Sequence, residues 1–272
     1  MRSIPLKHRL PLGVALVVLA ASATPRPVLA QGVVTEPPSQ WQLTISPYLW
    51  AAGLDGDVSV GSIDGELEQD FDDILDDLVF GGMLLVDARK DRYGIAFNSF
   101  FVRTQSDADS GGLSASLESD TAAFQLSGYY QALTWRPRGD DGFTVAVEPY
   151  AGARLTYIRN ELQGRFDDGA GAVTEREADR NETWVDPVVG TRLILHLGER
   201  WSFRLAGDIG GFGLGSDLSW AAQGLLGYTV AFGRFNTVLG VGYQALSWDY
   251  DDDDFEWDVT QHGPVIGAAI QF

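Results

Sequence analysis

The chain has 272 residues, no cysteine, 32 glycines and a formal net charge of −19. Without cysteine there is no disulfide scaffold, no thiolate metal site and no thiol nucleophile. The acidity argues against nucleic-acid binding, which needs a basic footprint. The N-terminus comes first. Arg2, Lys7 and Arg9 form a basic segment, Leu10 to Ala21 is apolar, and Val28-Leu29-Ala30 offers a cleavage site before Gln31. This pattern predicts a signal peptide over residues 1–30; the apolar run is too short for a membrane-spanning helix. An inner-membrane anchor helix is the alternative. Removing residues 1–30 would leave a net charge of about −23. Residues 31–40, with Pro37 and Pro38, read as a periplasmic linker, and residues 41–272 as one domain.

No later stretch has the ~20 continuous apolar residues of a spanning helix. Alternation of period two instead predicts about ten strands, with eight or twelve also compatible. The first runs from Trp41 to about Leu54. Trp41, Leu43, Ile45, Pro47 and Leu49 share a greasy face, and Gln42, Thr44, Ser46 and Tyr48 share a polar one. The second covers Val79 to Arg89, with Asp87 and Arg89 inward. The third spans Tyr93 to Thr104 and the fourth Thr121 to Trp135, where Gln125, Ser127, Tyr129 and Gln131 face inward. The fifth, Phe143 to Tyr157, alternates most cleanly and turns Glu148 and Arg154 to the polar side. The sixth, Trp184 to Leu197, carries Asp186, Arg192 and His196 inward; the seventh, Trp201 to Phe212, carries Arg204 and Asp208. Leu218 to Phe232, Phe235 to Ser247 and Phe255 to Phe272 complete the set. A parity slip near Gly263-Pro264 reads as a bulge in the last strand.

Short connections follow the second, fourth, sixth and eighth strands, and mostly longer acidic ones the others. This is the rule of short periplasmic turns and long outer loops. Trp41, Trp50, Tyr93, Trp135, Tyr157, Trp184, Trp201, Trp248 and Trp257 lie near strand ends, as interfacial girdles require. The expected fold is an all-β, antiparallel transmembrane barrel. Soluble alternatives are a β-sandwich or a lipocalin-like barrel, which turn their greasy faces inward.

The inward charges Asp87, Arg89, Glu148, Arg154, Asp186, Arg192, Arg204 and Asp208 are the candidate lumen network. They would serve either as paired charges filling a narrow lumen or as a polar path for small solutes. Phe71 to Leu78 has helical spacing and predicts a short amphipathic helix in the first outer loop. Asp249 and Asp251 to Asp254 form an acidic tip, read either as a cation site or as a hydrated loop. His262, with Asp258 four residues away, has no serine placed near it by a recognisable motif. We therefore assign no catalytic, cofactor or metal residues and expect a non-enzyme.

The closing GPVIGAAIQF (Gly263 to Phe272) resembles the final strand of Gram-negative outer-membrane β-barrels. SPYLWAAGLDGDV (Ser46 to Val58), VEPYAGARLTY (Val147 to Tyr157), WVDPVVGTRL (Trp184 to Leu193) and GDIGGFGLGSDLSW (Gly207 to Trp220) are similar to a widespread group of uncharacterised proteobacterial outer-membrane barrels. The resemblance implies an outer-membrane location among lipid and lipopolysaccharide. It also implies that the barrel assembly machinery reads the terminal Phe272. It implies no ligand. A structural or interaction role, limited permeation of small solutes, and a narrow porin remain as functions; an outer-membrane enzyme is the least supported.

Overall fold

The computed structural model describes residues 38–60, 63–69, 74, 78–110, 113–137, 142–167, 173–232, 235–252 and 255–272. The signal peptide, most of the linker, the Phe71–Leu78 helix (apart from its Ile74 and Leu78) and Asp253–Asp254 fall outside these residues. In chain order the strands are β1 (Gln42–Trp50), β2 (Gly53–Val60), β3 (Ile63–Gln69), β4 (Leu78–Lys90), β5 (Tyr93–Ser110), β6 (Leu113–Tyr130) and β7 (Leu133–Trp135). Then come β8 (Phe143–Asp167), β9 (Val173–Leu197), β10 (Trp201–Gly211), β11 (Leu218–Phe232), β12 (Phe235–Asp252) and β13 (Phe255–Gln271).

Ten of these close into a barrel. β1 pairs with β4 on one side and with β13 on the other, and every neighbouring pair is antiparallel. Closure leaves no spanning strand with an unpaired edge, the condition for strands to cross hydrocarbon. Followed once around the wall, the register leaves β13 at Val259 and returns to it at Gln271, twelve residues on. That stagger corresponds to strands tilted by roughly 40°.

The expected bulge in the last strand is absent. The β12–β13 register runs without a shift from Asn236↔Gln271 to Asp252↔Phe255. The interruption lies across the seam instead, at Ala51–Ala52 between β1 and β2. Ala51 donates its N–H to the Pro264 carbonyl at 2.9 Å. Pro264 has no N–H to return, so the ladder lapses there. Gly263 lets the two strands approach: a Cβ on it would lie 1.8 Å from the Ala51 carbonyl oxygen.

The outward face is greasy through the lower half of the wall. Leu43, Ile95, Leu126, Val189, Leu239 and Ile266 point out and are exposed. Trp41, Tyr93, Trp135 and Trp201 ring the lower end at 66, 67, 53 and 47 % exposure, as the girdle expectation required. Trp50, Trp184, Trp248 and Trp257 depart from it. They point into the barrel and are at most 5 % exposed. The reason is an inversion of the pattern along each strand. On β13, Ile266 and Pro264 face out at lipid height; above them Thr260, Asp258 and Glu256 face out, while Val259, Trp257 and Phe255 turn inward. Parity is unbroken and the surroundings change: above the bilayer the outside is water, so apolar side chains move to the inside.

Crossing a bilayer takes about 9–11 residues per strand, yet β8 and β9 have 25 each and β5 and β6 have 18 each. The long acidic connections expected after the third and fifth strands are therefore largely strand, raised as walls above the membrane. The fourth strand ends earlier than expected: β6 stops at Tyr130, and Leu133–Trp135 pairs separately with the foot of β8 as β7. The β4–β5 turn is only Asp91-Arg92, with Asp91 at φ 52°, a left-handed position that aspartate tolerates.

Candidate functional site

The lumen has two tiers. The lower tier is a charged network built on inward positions of β4, β6, β8, β9 and β10. Arg154 is 2 % exposed; its Nη2 donates to Asp208 at 2.5 Å and to the Gln125 side-chain oxygen at 2.9 Å. Tyr150, also on β8, donates its hydroxyl proton to Asp208 at 2.9 Å, and the Gln125 amide on β6 donates at 3.3 Å, so that carboxylate is held from two strands. Arg89 pairs with Glu148, which is fully buried. Arg192 stands 3.0 Å from the other Glu148 oxygen and 3.2 Å from Asp87. Tyr129 donates to Asp87 at 2.7 Å, accepts from Arg89 Nε at 3.2 Å, and lies with its ring 3.9 Å beneath the Arg192 guanidinium. Charges in a narrow lumen persist when they are paired and hydrogen-bonded, and these are.

Seven of the eight charges named from the sequence, Asp87, Arg89, Glu148, Arg154, Arg192, Arg204 and Asp208, line one cavity of about 340 Å³. Asp186 does not. Although it sits opposite Arg154 in the β8–β9 register, it is fully buried and accepts from the Ser216 N–H at 2.7 Å and the Ser216 hydroxyl at 3.0 Å. Its role is to pin the β10–β11 connection against the inner wall. Parity alone turns Tyr129 and Gln125 inward, and Tyr150 shares the face of Glu148 and Arg154, but their part in the network needs the third dimension. No spacing along the chain places Tyr150 beside Asp208, 58 residues on.

The upper tier is aromatic. Trp50 meets Phe100 edge-on at 5.4 Å, and Phe100 leads to Trp248 at 6.5 Å. Trp184 stacks on Tyr250 at 4.1 Å, and Tyr250, Phe255 and Trp257 continue the layer. Ile158, Leu246 and Val259 fill between them, and Trp248 anchors the layer by donating its indole N–H to Thr156 at 3.0 Å. These side chains come from β1, β5, β8, β9, β12 and β13, so the layer crosses the barrel from wall to wall. It caps the cavity on the outer side. Below, the cavity reaches Gln42, Thr229, Asn236 and Gln271 at the periplasmic ends of their strands.

His262 faces outward. Its Nε2 is 2.7 Å from Asp55, not Asp258, and its Nδ1 is 2.6 Å from the Tyr243 hydroxyl. The group sits on the outer wall just above Ile266, away from the lumen. Asp249 lies directly opposite Asp258, and Asp258 opposite Asp57, a row of like charges facing water. Among the described residues no three His, Asp or Glu side chains are arranged to hold a metal.

A closed antiparallel wall with a lipid-facing apolar band, a lower aromatic girdle and water-facing upper walls defines an integral outer-membrane β-barrel protein, and the chain is one. No family model matches the sequence, and no curated protein matches it. Among solved structures, the chain is similar to the outer membrane protease OmpT from Escherichia coli, with a TM-score of 0.42, 5 % identity, and 89 % and 99 % of the two chains covered. It is also similar to Ail, the attachment invasion locus protein of Yersinia pestis, with a TM-score of 0.34, 11 % identity and coverage of 85 % and 98 %. Neisserial surface protein A matches with a TM-score of 0.28 at 11 % identity, covering 85 % and 97 %. Likenesses this distant carry nothing about activity.

Proposed function

We propose that this protein is a sealed barrel of the outer membrane whose role is structural or interactive, rather than an open porin. The aromatic tier carries this reading. A ten-strand barrel is little wider than the eight-strand size that side chains can fill. A continuous apolar layer across such a lumen excludes water and hydrated ions. The surface available for contact is then the tall β5–β6 and β8–β9 walls, which stand clear of the bilayer.

Planar-bilayer recording of the refolded barrel, with folding verified by heat-modifiable gel mobility, tests this. No discrete conductance steps are expected. Reproducible unitary steps from the wild-type protein would overturn the reading in favour of a narrow channel.

The resemblance of the last strand to barrel-closing strands supports a second expectation. Phe272 is 56 % exposed and its N–H donates to the Leu43 carbonyl at 2.9 Å. Truncating that side chain removes little buried surface. Phe272→Ala should therefore refold in vitro with a nearly unchanged urea midpoint, yet accumulate in the outer membrane at a several-fold lower level. Equal accumulation of the two proteins would count against recognition of Phe272 by the assembly machinery.

A further inference from the structure

Among the four cavity-lining arginines, Arg204 stands apart. Arg89, Arg154 and Arg192 each hold a carboxylate. Arg204 makes no hydrogen bond or ion pair with any described residue. Its cross-strand neighbours are Ile194 on β9 and Leu225 on β11, so neither flank offers a counter-charge. The nearby charged groups include Arg192 and Arg89, which repel it, and Asp87, which Arg192 already holds. A guanidinium half-removed from water and left without a partner is costly.

The surrounding charge has the same sense. The cavity is lined by Arg89, Arg154, Arg192 and Arg204 against Asp87, Glu148 and Asp208. Four cations face three anions, a local excess of one positive charge inside a chain of net charge −19. The excess sits at Arg204, because the other charges are consumed in pairs. The rest of the wall is of another kind. Leu225, Val238, Gly240 and Ala269 present a small apolar surface on β11, β12 and β13. A Cβ built on Gly240 would meet only the Leu226 carbonyl oxygen, at an ordinary contact distance of 3.8 Å, so the position accepts a side chain. A volume of about 340 Å³ lies within the range of small-molecule sites, which combine apolar walls with a few placed polar groups.

We propose that the lower lumen is a binding pocket, entered from the periplasmic side, for a small organic monoanion. Its carboxylate head would take the two N–H groups of the Arg204 fork, and a short apolar body would lie against Leu225, Val238 and Gly240. The guanidinium matches a carboxylate in planar geometry. The aromatic tier makes the pocket blind, so the ligand enters and leaves by one mouth. This goes beyond a sealed barrel: sealing is read by conductance and the pocket by binding, so either can fail alone.

Benzoate is the probe, with benzylamine as the counterpart of like shape and opposite charge. The refolded barrel in lipid nanodiscs is titrated with each by ligand-observed NMR, against empty nanodiscs. Wild type is expected to bind benzoate saturably at one site and to show no saturable binding of benzylamine. Arg204→Gln should weaken benzoate at least tenfold. It breaks no ion pair among the described residues, so the barrel should fold. Gly240→Phe keeps Arg204 and puts a ring into the same cavity, and should weaken benzoate as much. The proposal is overturned if the folded wild type shows no saturable benzoate binding. It is equally overturned if benzylamine binds as well, or if benzoate binding survives either substitution.

Discussion

Replacing Arg154 by alanine is expected to lower the unfolding free energy by about 3–5 kcal/mol, the range for removing one partner of a buried ion pair. Arg154 is the centre of the lower network. It reaches Asp208, Gln125 and Ser219 from a position 2 % exposed. Without it, Asp208 keeps only Tyr150 and Gln125 as donors and remains a charge inside a narrow wall. The loss is largely the cost of that stranded carboxylate rather than the worth of the pair. A double variant, Arg154→Met with Asp208→Leu, should therefore recover most of it. Urea titration of the single and double variants in lipid vesicles checks both statements. Conductance of Arg154→Ala should stay at the wild-type level, because the seal lies above it; raised permeability with unchanged stability would sink the structural role.

The second large effect falls on the seal itself. Trp248 is fully buried, contacts the Phe100 ring and holds Thr156. Trp248→Ala should cost about 3–5 kcal/mol, as truncation of a buried aromatic does. The void it leaves joins the cavity below to the space above, so this variant, unlike Arg154→Ala, should show conductance steps. Trp248→Phe should restore most of the stability and the silence. A silent, folded Trp248→Ala would mean that the remaining rings close the gap alone.

Within the membrane the fold was legible because lipid outside and a polar network inside impose opposite demands on alternate residues. Phe97 against Asn98, and Leu155 against Arg154, can be read without a structure. The same parity puts Asp87, Glu148 and Arg154 on the inner face, where they line the cavity. Above the membrane the contrast fades. Asn160 and Glu161 are polar on both faces, so the upper reach of β8 reads as a loop. The four tryptophans misled for a related reason. Position near a strand end marks an interface only when the side chain faces lipid, and Trp50, Trp184, Trp248 and Trp257 face inward. The run at Gly263-Pro264 looked like a slip because the greasy face changes sides there while the register does not. Asp186 was beyond reach, since its partner Ser216 comes from a connection whose fold no alternation describes.

The place where greasy side chains change sides marks a waterline, and the two sides of it are stabilised by different physics. Below it, unfolding would expose backbone groups to hydrocarbon, and the hydrogen-bonded ladder has no solvent to exchange with. Side chains moving between lumen and lipid gain little, because lipid is as apolar as leucine. Above it, the rings around Trp248 are surrounded by walls standing in water, and their burial is driven as in a soluble core. Only that storey should contribute strongly to the heat capacity of unfolding, and only that storey should loosen on cooling. The barrel is in this sense a water-soluble domain standing on a membrane domain, sharing one wall of continuous strands, with its lid governed by temperature and its foundation by lipid.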